Sequence, residues 1–261
     1  MANPLYGQNK MDDKIDDQIT GKKQVYRFAT PPVVNDYEHT ANALADGTAQ
    51  DTVLHVYADG LNITWSAVVA QAINNPAPTA TGINYAGDQT NNDGIELVYS
   101  CVTTKGREGV DRFTVGKQAF SVELEFSIAV VAGTDVGNFG FRKVEALQAD
   151  WNDYDEAAGL FPISGDIKIQ SIINNAATVT TDTTANWGNT EVHSLKVLVD
   201  KDGAVTYKID GAAPSTTAAF SFDKGEVVTP FFHFLQASGA QTGALVLRKL
   251  IVESDNGSME D

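Results

Sequence analysis

Glu123 and Glu125 stand two residues apart in the stretch VELEF, a spacing that puts both carboxylates on one face of a β-strand. Two carboxylates about 5 Å apart can flank a glycosidic bond, one as acid and one as nucleophile. The strand-borne form of that chemistry needs a further carboxylate two residues on, and that position holds Ser127. The set is incomplete, and the pair reads as the solvated face of a strand. Acyl transfer has no better footing, because there is no GxSxG elbow and Cys101 has no histidine near it in sequence.

Metal and phosphate chemistry fare no better. His39, His55, His193 and His233 are far apart and form no HExxH or HxH pair, so each reads as a structural or surface residue. The DKDG stretch, Asp200 to Gly203, resembles the start of a calcium loop. Such a loop needs oxygens at positions one, three, five and twelve with glycine at six, whereas this segment turns into a strand at once. LKVLVD and AVTYKID are two strands, and DKDG is the turn of a hairpin between them. Asp200 and Asp202 are weak metal candidates at best. In VGKQAF a phosphate loop would need glycine at Asp111 and a hydroxyl at Gln118. No cofactor is expected.

Charge narrows the partners. The chain carries 18 basic and 34 acidic side chains, a balance of −16. Residues 1–50 hold seven acids and five bases, leaving 27 acids and 13 bases for the rest. Such a field repels phosphate backbones, so nucleic acid is not an expected partner. No apolar run approaches the roughly 18 residues that span a bilayer, and no membrane association is expected. The N-terminal stretch MANPLYGQNKMDDKIDD has no basic segment followed by an apolar one, from which cytoplasmic folding is expected. On that expectation the Asn62 and Asn256 sequons are chance matches. Cys101 is the single cysteine, which excludes an intramolecular disulfide.

The elements that would position any site are strands. In SVELEFSIAV, Val122, Leu124, Phe126 and Ile128 alternate with Glu123, Glu125 and Ser127, as a half-buried strand requires. Leu195, Val197 and Val199 alternate with Lys196 and Leu198. Short runs rich in Val, Ile, Phe and Tyr, separated by turn residues, predict an all-β antiparallel sandwich from residue 82 to 254. The run from Thr52 to Ile73 is ambiguous between strand and helix and reads better as strand, giving a strand-bearing connector over 51–81. VEALQADWNDYDEAAGLF suits a short helix or an ordered crossover loop. Residues 1–50 are too polar to bury a face and read as an extended N-terminal arm. That arm is either a disordered tail or held by a neighbouring subunit through Leu5, Tyr6, Tyr26 and Phe28. Residues 255–261 read as a flexible acidic tail.

The order of these strands, with the hairpin of HSLKVLVDKDGAVTYKIDG followed by a long strand opening at Pro230, Phe231 and Phe232, resembles the concanavalin A-like (laminin G-like, jelly-roll) sandwich. The metal ligands of the lectin type are not recognisable here. FGFRKVEA, NDYDEAAG, GDIKIQSIINNA and the opening MANPLYGQNK together resemble virion structural proteins of tailed phages, particularly those of marine cyanobacteria. That resemblance implies a capsid decoration or cement protein on the virion surface, a homo-oligomer bound to the major capsid protein and made in the host cytoplasm. Its alternative is a carbohydrate-binding adhesin of a tail fibre or spike, with Trp151 or Trp187 flat against a sugar. A glycoside hydrolase with degenerate carboxylates is the third reading, and no enzyme activity is expected.

Overall fold

In the computed structural model the structure describes residues 22–27, 37–38, 52–56, 62–67, 77–85, 88–89, 94–98, 113–145, 148, 151–236, 241–242 and 245–255. Among them the regular elements are strands and two short 3₁₀ turns. In chain order the first strands are β1 (Lys22–Arg27), β2 (Tyr37–Glu38), β3 (Thr52–Val56), β4 (Asn62–Ala67), β5 (Ala77–Thr79), β6 (Gly82–Tyr85), β7 (Asp88–Gln89) and β8 (Gly94–Val98). Then come β9 (Phe113–Thr114), β10 (Phe120–Ile128), β11 (Thr134–Lys143), β12 (Ala157–Ile163), β13 (Asp166–Ile172) and β14 (Val179–Asn186). The last are β15 (Val192–Val199), β16 (Val205–Ile209), β17 (Val227–Gln236), β18 (Gln241–Thr242) and β19 (Leu245–Ser254).

These strands build a separate two-stranded sheet, β18-β7, and two large antiparallel sheets. The smaller runs β16-β15-β10-β19-β6-β5, with β1 also against β19; the larger runs β14-β13-β12-β11-β17-β8-β4-β3-β2, with β9 on β17. The predicted all-β sandwich is therefore what the chain forms. Its core is the apolar set of each inner face: Val122, Leu124, Phe126, Leu195 and Val197 from the smaller sheet meet Phe139, Phe141, Ile169, Phe232 and Phe234 from the larger. Phe126 shows how they interlock, standing edge-on to Phe232 at 5.5 Å between centroids, a favoured aromatic geometry.

The connector does not stand apart from the sandwich. β4 pairs with β8 and β3 with β4, so both strands extend the larger sheet. Part of the N-terminal arm is likewise paired with the chain's own last strand, Lys22 opposite Ser254 through Arg27 opposite Lys249. Tyr26 thus lies in β1, while Leu5, Tyr6 and Phe28 lie outside the described residues. Among the described residues of the crossover after β11 the regular element is a 3₁₀ turn, Trp151–Asp153, and Ala158 belongs to β12. Of Val144, Leu147, Trp151, Tyr154 and Ala158, whose spacing suits a helix, Trp151 lies in the 3₁₀ turn, Tyr154 follows it and Ala158 lies in a strand, while Leu147 is outside the described residues.

DKDG is a hairpin turn between β15 and β16, which meet at Val199 opposite Val205. Asp200 Oδ1 accepts the backbone N–H groups of Asp202 and Ala204, each at 2.8 Å. Asp202 pairs with Lys224 at 2.7 Å. The two aspartates are thus engaged locally, and no group of three or more potential metal ligands occurs among the described residues. Gly203 sits at φ +95°, where a Cβ would also overlap the Phe222 carbonyl. Gly203→Ala is expected to cost about 2 kcal/mol, from left-handed strain and the overlap together. Urea unfolding checks this, and an unchanged midpoint would show that the turn relaxes freely.

Candidate functional site: the outer face of the larger sheet

Directly opposed residues of antiparallel strands share a face, so the registers lay out the outer surface of the larger sheet row by row. One row holds His233 of β17 opposite Asn138 of β11. The next runs from Phe231 through Gly140 and Gly159 to Gln170 of β13. A third runs from Thr229 through Arg142 and Ala157 to Ile172. Polar side chains in mid-sheet thus alternate with the core-facing phenylalanines of the same strands.

The two central glycines make room for this arrangement. A Cβ on Gly159 would overlap Asn138 Oδ1 and the Phe139 carbonyl, and one on Gly140 would overlap the Ala158 carbonyl. Asn138 crosses over Gly159, and its Nδ2 donates to the Gln170 carbonyl at 3.5 Å. Glycine within a strand marks a close approach of this kind. It was the one cue in NFGF and AAGLF that could have drawn attention to this face.

The polar atoms here are unevenly satisfied. Asn138 Oδ1, Gln170 Oε1 and both ring nitrogens of His233 are buried and find no hydrogen-bond partner among the described residues. Leaving such groups unpaired costs about 1–3 kcal/mol each. His233 is 0 % exposed. Burial, and then the charge of Arg142, pushes its pKa down to about 3, so the ring is neutral with one donor and one acceptor nitrogen. Arg142 is itself buried, with Nη1 donating to the carbonyls of Lys143 and Glu145 at 3.0 and 3.4 Å. Its guanidinium lies 4.3 Å from the centre of the Tyr154 ring.

One end of this face is covered by the chain itself. Trp151 and Tyr154 pack with Ala157, Ile172 and Phe231 in a second apolar cluster. Trp151 is 1 % exposed and so is Trp187, and neither offers an open ring face to a sugar. Trp187 belongs to the main core, tilted against Phe126 with centroids 4.6 Å apart, and its Nε1 donates to the Glu191 carbonyl at 3.2 Å. The expected sugar platform at these two residues is corrected on this point. An aromatic in a polar loop reads as exposed from sequence, but both rings turn inward because their apolar area outweighs their single polar atom.

The other sequence candidates lie elsewhere. Glu123 and Glu125 are on the outer face of the smaller sheet, within an ion-pair ladder. Glu123 accepts from Ser194 Oγ at 2.7 Å, Glu125 meets Lys249 at 3.3 Å, and Lys196 meets Glu253 at 2.6 Å. That is the solvated strand face predicted for VELEF. His193 packs its ring against Trp187 and places Nδ1 2.7 Å from Asp210 and Nε2 3.2 Å from Glu191. Burial draws its pKa down, but the two carboxylates outweigh that and leave it raised. Both nitrogens are engaged, so this network holds a loop to the core.

The chain matches no family model and no curated protein. Among solved structures, the carbohydrate recognition domain of Emp47p superposes with a TM-score of 0.51 at 12 % identity, over 84 % of this chain and 97 % of that one. An alginate lyase from Corynebacterium sp. superposes with a TM-score of 0.50 at 13 % identity, over 92 % and 97 %. Identity this low makes the likeness one of fold. The chain folds as a concanavalin A-like jelly-roll sandwich, with a polar row set into the middle of its larger sheet.

Proposed function

We propose that this protein is a carbohydrate-binding module without catalytic activity, which takes a hydroxyl-bearing ligand at Asn138, Gln170 and His233 on the outer face of the larger sheet; these side chains are 0, 6 and 0 % exposed, so the ligand reaches them only where the cover of that face opens. The observation that carries this reading is the group of four buried polar atoms on those three side chains that lack partners among the described residues. Two amides and a neutral imidazole present mixed donors and acceptors without net charge, the set that matches sugar hydroxyls. The glycine pair beside them leaves room for the Asn138 side chain to lie against the backbone. That the similar sandwiches include a carbohydrate recognition domain and an enzyme named for a polysaccharide is consistent with this use of the fold.

A glycan array with the full chain tests the reading, followed by titration of the best ligand. Asn138→Ala and Gln170→Ala are each expected to weaken binding about 10-fold or more, the loss of one or two hydrogen bonds of about 1–1.5 kcal/mol each. Unchanged affinity in both, with the fold intact by circular dichroism, would remove the site from this face. The capsid-decoration expectation finds no support in the fold likenesses. It remains a separate proposal, tested by co-sedimentation of the protein with phage heads stripped of accessory proteins.

A further inference from the structure

The loop between β14 and β15 is fastened through one imidazole. His193, near the start of β15, places Nδ1 2.7 Å from Asp210 Oδ2 and Nε2 3.2 Å from Glu191 Oε2. Ionised carboxylates only accept hydrogen bonds, and a neutral imidazole has a single N–H. Both contacts are hydrogen bonds at once only when the ring carries two protons. The carboxylates have none to give, because backbone N–H groups favour their ionised form. Asp210 Oδ1 accepts from Ser194 at 2.9 Å, and Glu191 Oε2 accepts from Gly188 at 2.6 Å.

We infer that His193 is a proton-operated clasp: as an imidazolium it ties the 188–191 loop to the turn at Asp210, and on losing one proton in base it lets go of Glu191 and frees that loop.

The distances decide which tie is lost. The Asp210 contact is the shorter, so the remaining N–H stays on Nδ1, and a bare Nε2 then faces the Glu191 carboxylate, acceptor against acceptor. Glu191 anchors the loop in other ways as well. Its carbonyl accepts Trp187 Nε1–H at 3.2 Å, and its N–H donates to the Gly188 carbonyl at 3.3 Å. Thr190, whose N–H donates to the Ile128 carbonyl at 2.8 Å, sits at φ +63°. Such a left-handed backbone persists in a β-branched residue only where its surroundings hold it.

Among the described residues, the charged groups that face the ring are these two carboxylates. Trp187 packs against it at 4.6 Å between centroids, and Phe126 is its partner on β10. Glu125 of β10 is turned to Lys249, Lys196 of β15 to Glu253, and Lys208 of β16 lies opposite Lys196, all on the outer face of the smaller sheet. Burial draws the His193 pKa down, but Asp210 and then Glu191 outweigh that and leave it above the ordinary 6.5. A base raised in the folded state contributes stability that is fully present below pH 6.5 and is lost as pH rises through the folded value. The clasp acts where the chain crosses from the larger sheet to the smaller, whatever the outer face of the larger sheet binds.

Nitrogen NMR of the His193 ring in the full chain, together with hydrogen exchange corrected for intrinsic rates, tests the clasp. Both ring nitrogens are expected to carry protons below pH 6.5, with a titration midpoint above that value. The amides of Gly188, Thr190 and Glu191 are expected to lose protection about 10-fold or more between about pH 6 and 9, while β15 keeps its own. Glu191→Gln, whose amide donates to a neutral Nε2, should hold the loop at every pH. Asp210→Asn should bring the ring midpoint down. A midpoint at or below 6.5, no loss of protection in wild type, or the same loss in wild type and Glu191→Gln would overturn the clasp. If Glu191→Gln does not fold, the ring titrations of wild type and Asp210→Asn decide by themselves.

Discussion

Trp187→Ala is expected to destabilise the fold by about 3–5 kcal/mol, the range for emptying a large buried aromatic site, and to lower the melting temperature by roughly 6–20 °C. The indole fills the end of the core against Phe126 and His193, and its N–H is satisfied by the Glu191 carbonyl. Truncation therefore loses apolar burial, two aromatic contacts and the hydrogen bond to the Glu191 carbonyl at once. Loss of His193 packing should also loosen the loop that His193 ties to Asp210 and Glu191. Chemical unfolding measures the effect, with Trp187→Phe expected to recover most of it. A loss under 1 kcal/mol would mean that the ring is not the core element described. Any loss of ligand binding in this variant would report unfolding and not a missing sugar contact.

Acid is expected to act on the larger sheet through His233. With a folded pKa of about 3 against an ordinary 6.5, the unfolded chain takes up the proton first. Stability at this residue is present above pH 6.5 and lost as pH falls from 6.5 toward 3. The loss amounts to about 2 kcal/mol by pH 5 and about 4–5 kcal/mol near pH 3, at about 1.4 kcal/mol per pH unit. Glu156 works the other way, gaining as pH falls from 8 to 4.5, so the informative quantity is the difference between wild type and His233→Gln. His193, raised by its two carboxylates, contributes fully below its ordinary value of 6.5 and does not distort that comparison. His233→Gln is expected to flatten the fall between pH 6.5 and 5. Parallel curves for the two proteins would show that the ring is hydrated and titrates freely.

Both predictions rest on residues whose role could not be read from their neighbours in sequence. Alternation at Val122, Leu124, Phe126 and Ile128 was enough to place β10, because a half-buried strand must separate apolar from polar residues with a period of two. The incomplete carboxylate set at Ser127 was likewise enough to place Glu123 and Glu125 on a solvated face. The hairpin at Asp200 was legible because its turn is closed by local bonds from Asp200 itself. β14, Val179–Asn186, was not legible. It is an edge strand of Thr, Asp, Asn and Ala, mostly exposed, so no apolar periodicity marks it. β12 was hidden in another way, because AAGLFPI is buried nearly throughout and a continuous apolar run has no period.

The amino-acid sequence by itself thus determined the class of fold, the hairpin and the solvated face of the smaller sheet, since each depends on spacing within one short stretch. Only the tertiary structure decided that Asn138, Gln170 and His233 form one polar group and that Trp151 and Trp187 turn inward. These contacts join residues 32 to 95 positions apart through strand order and register. Strand order is settled by which apolar faces can be buried together across the whole sandwich, a sum over the entire core that no local pattern contains.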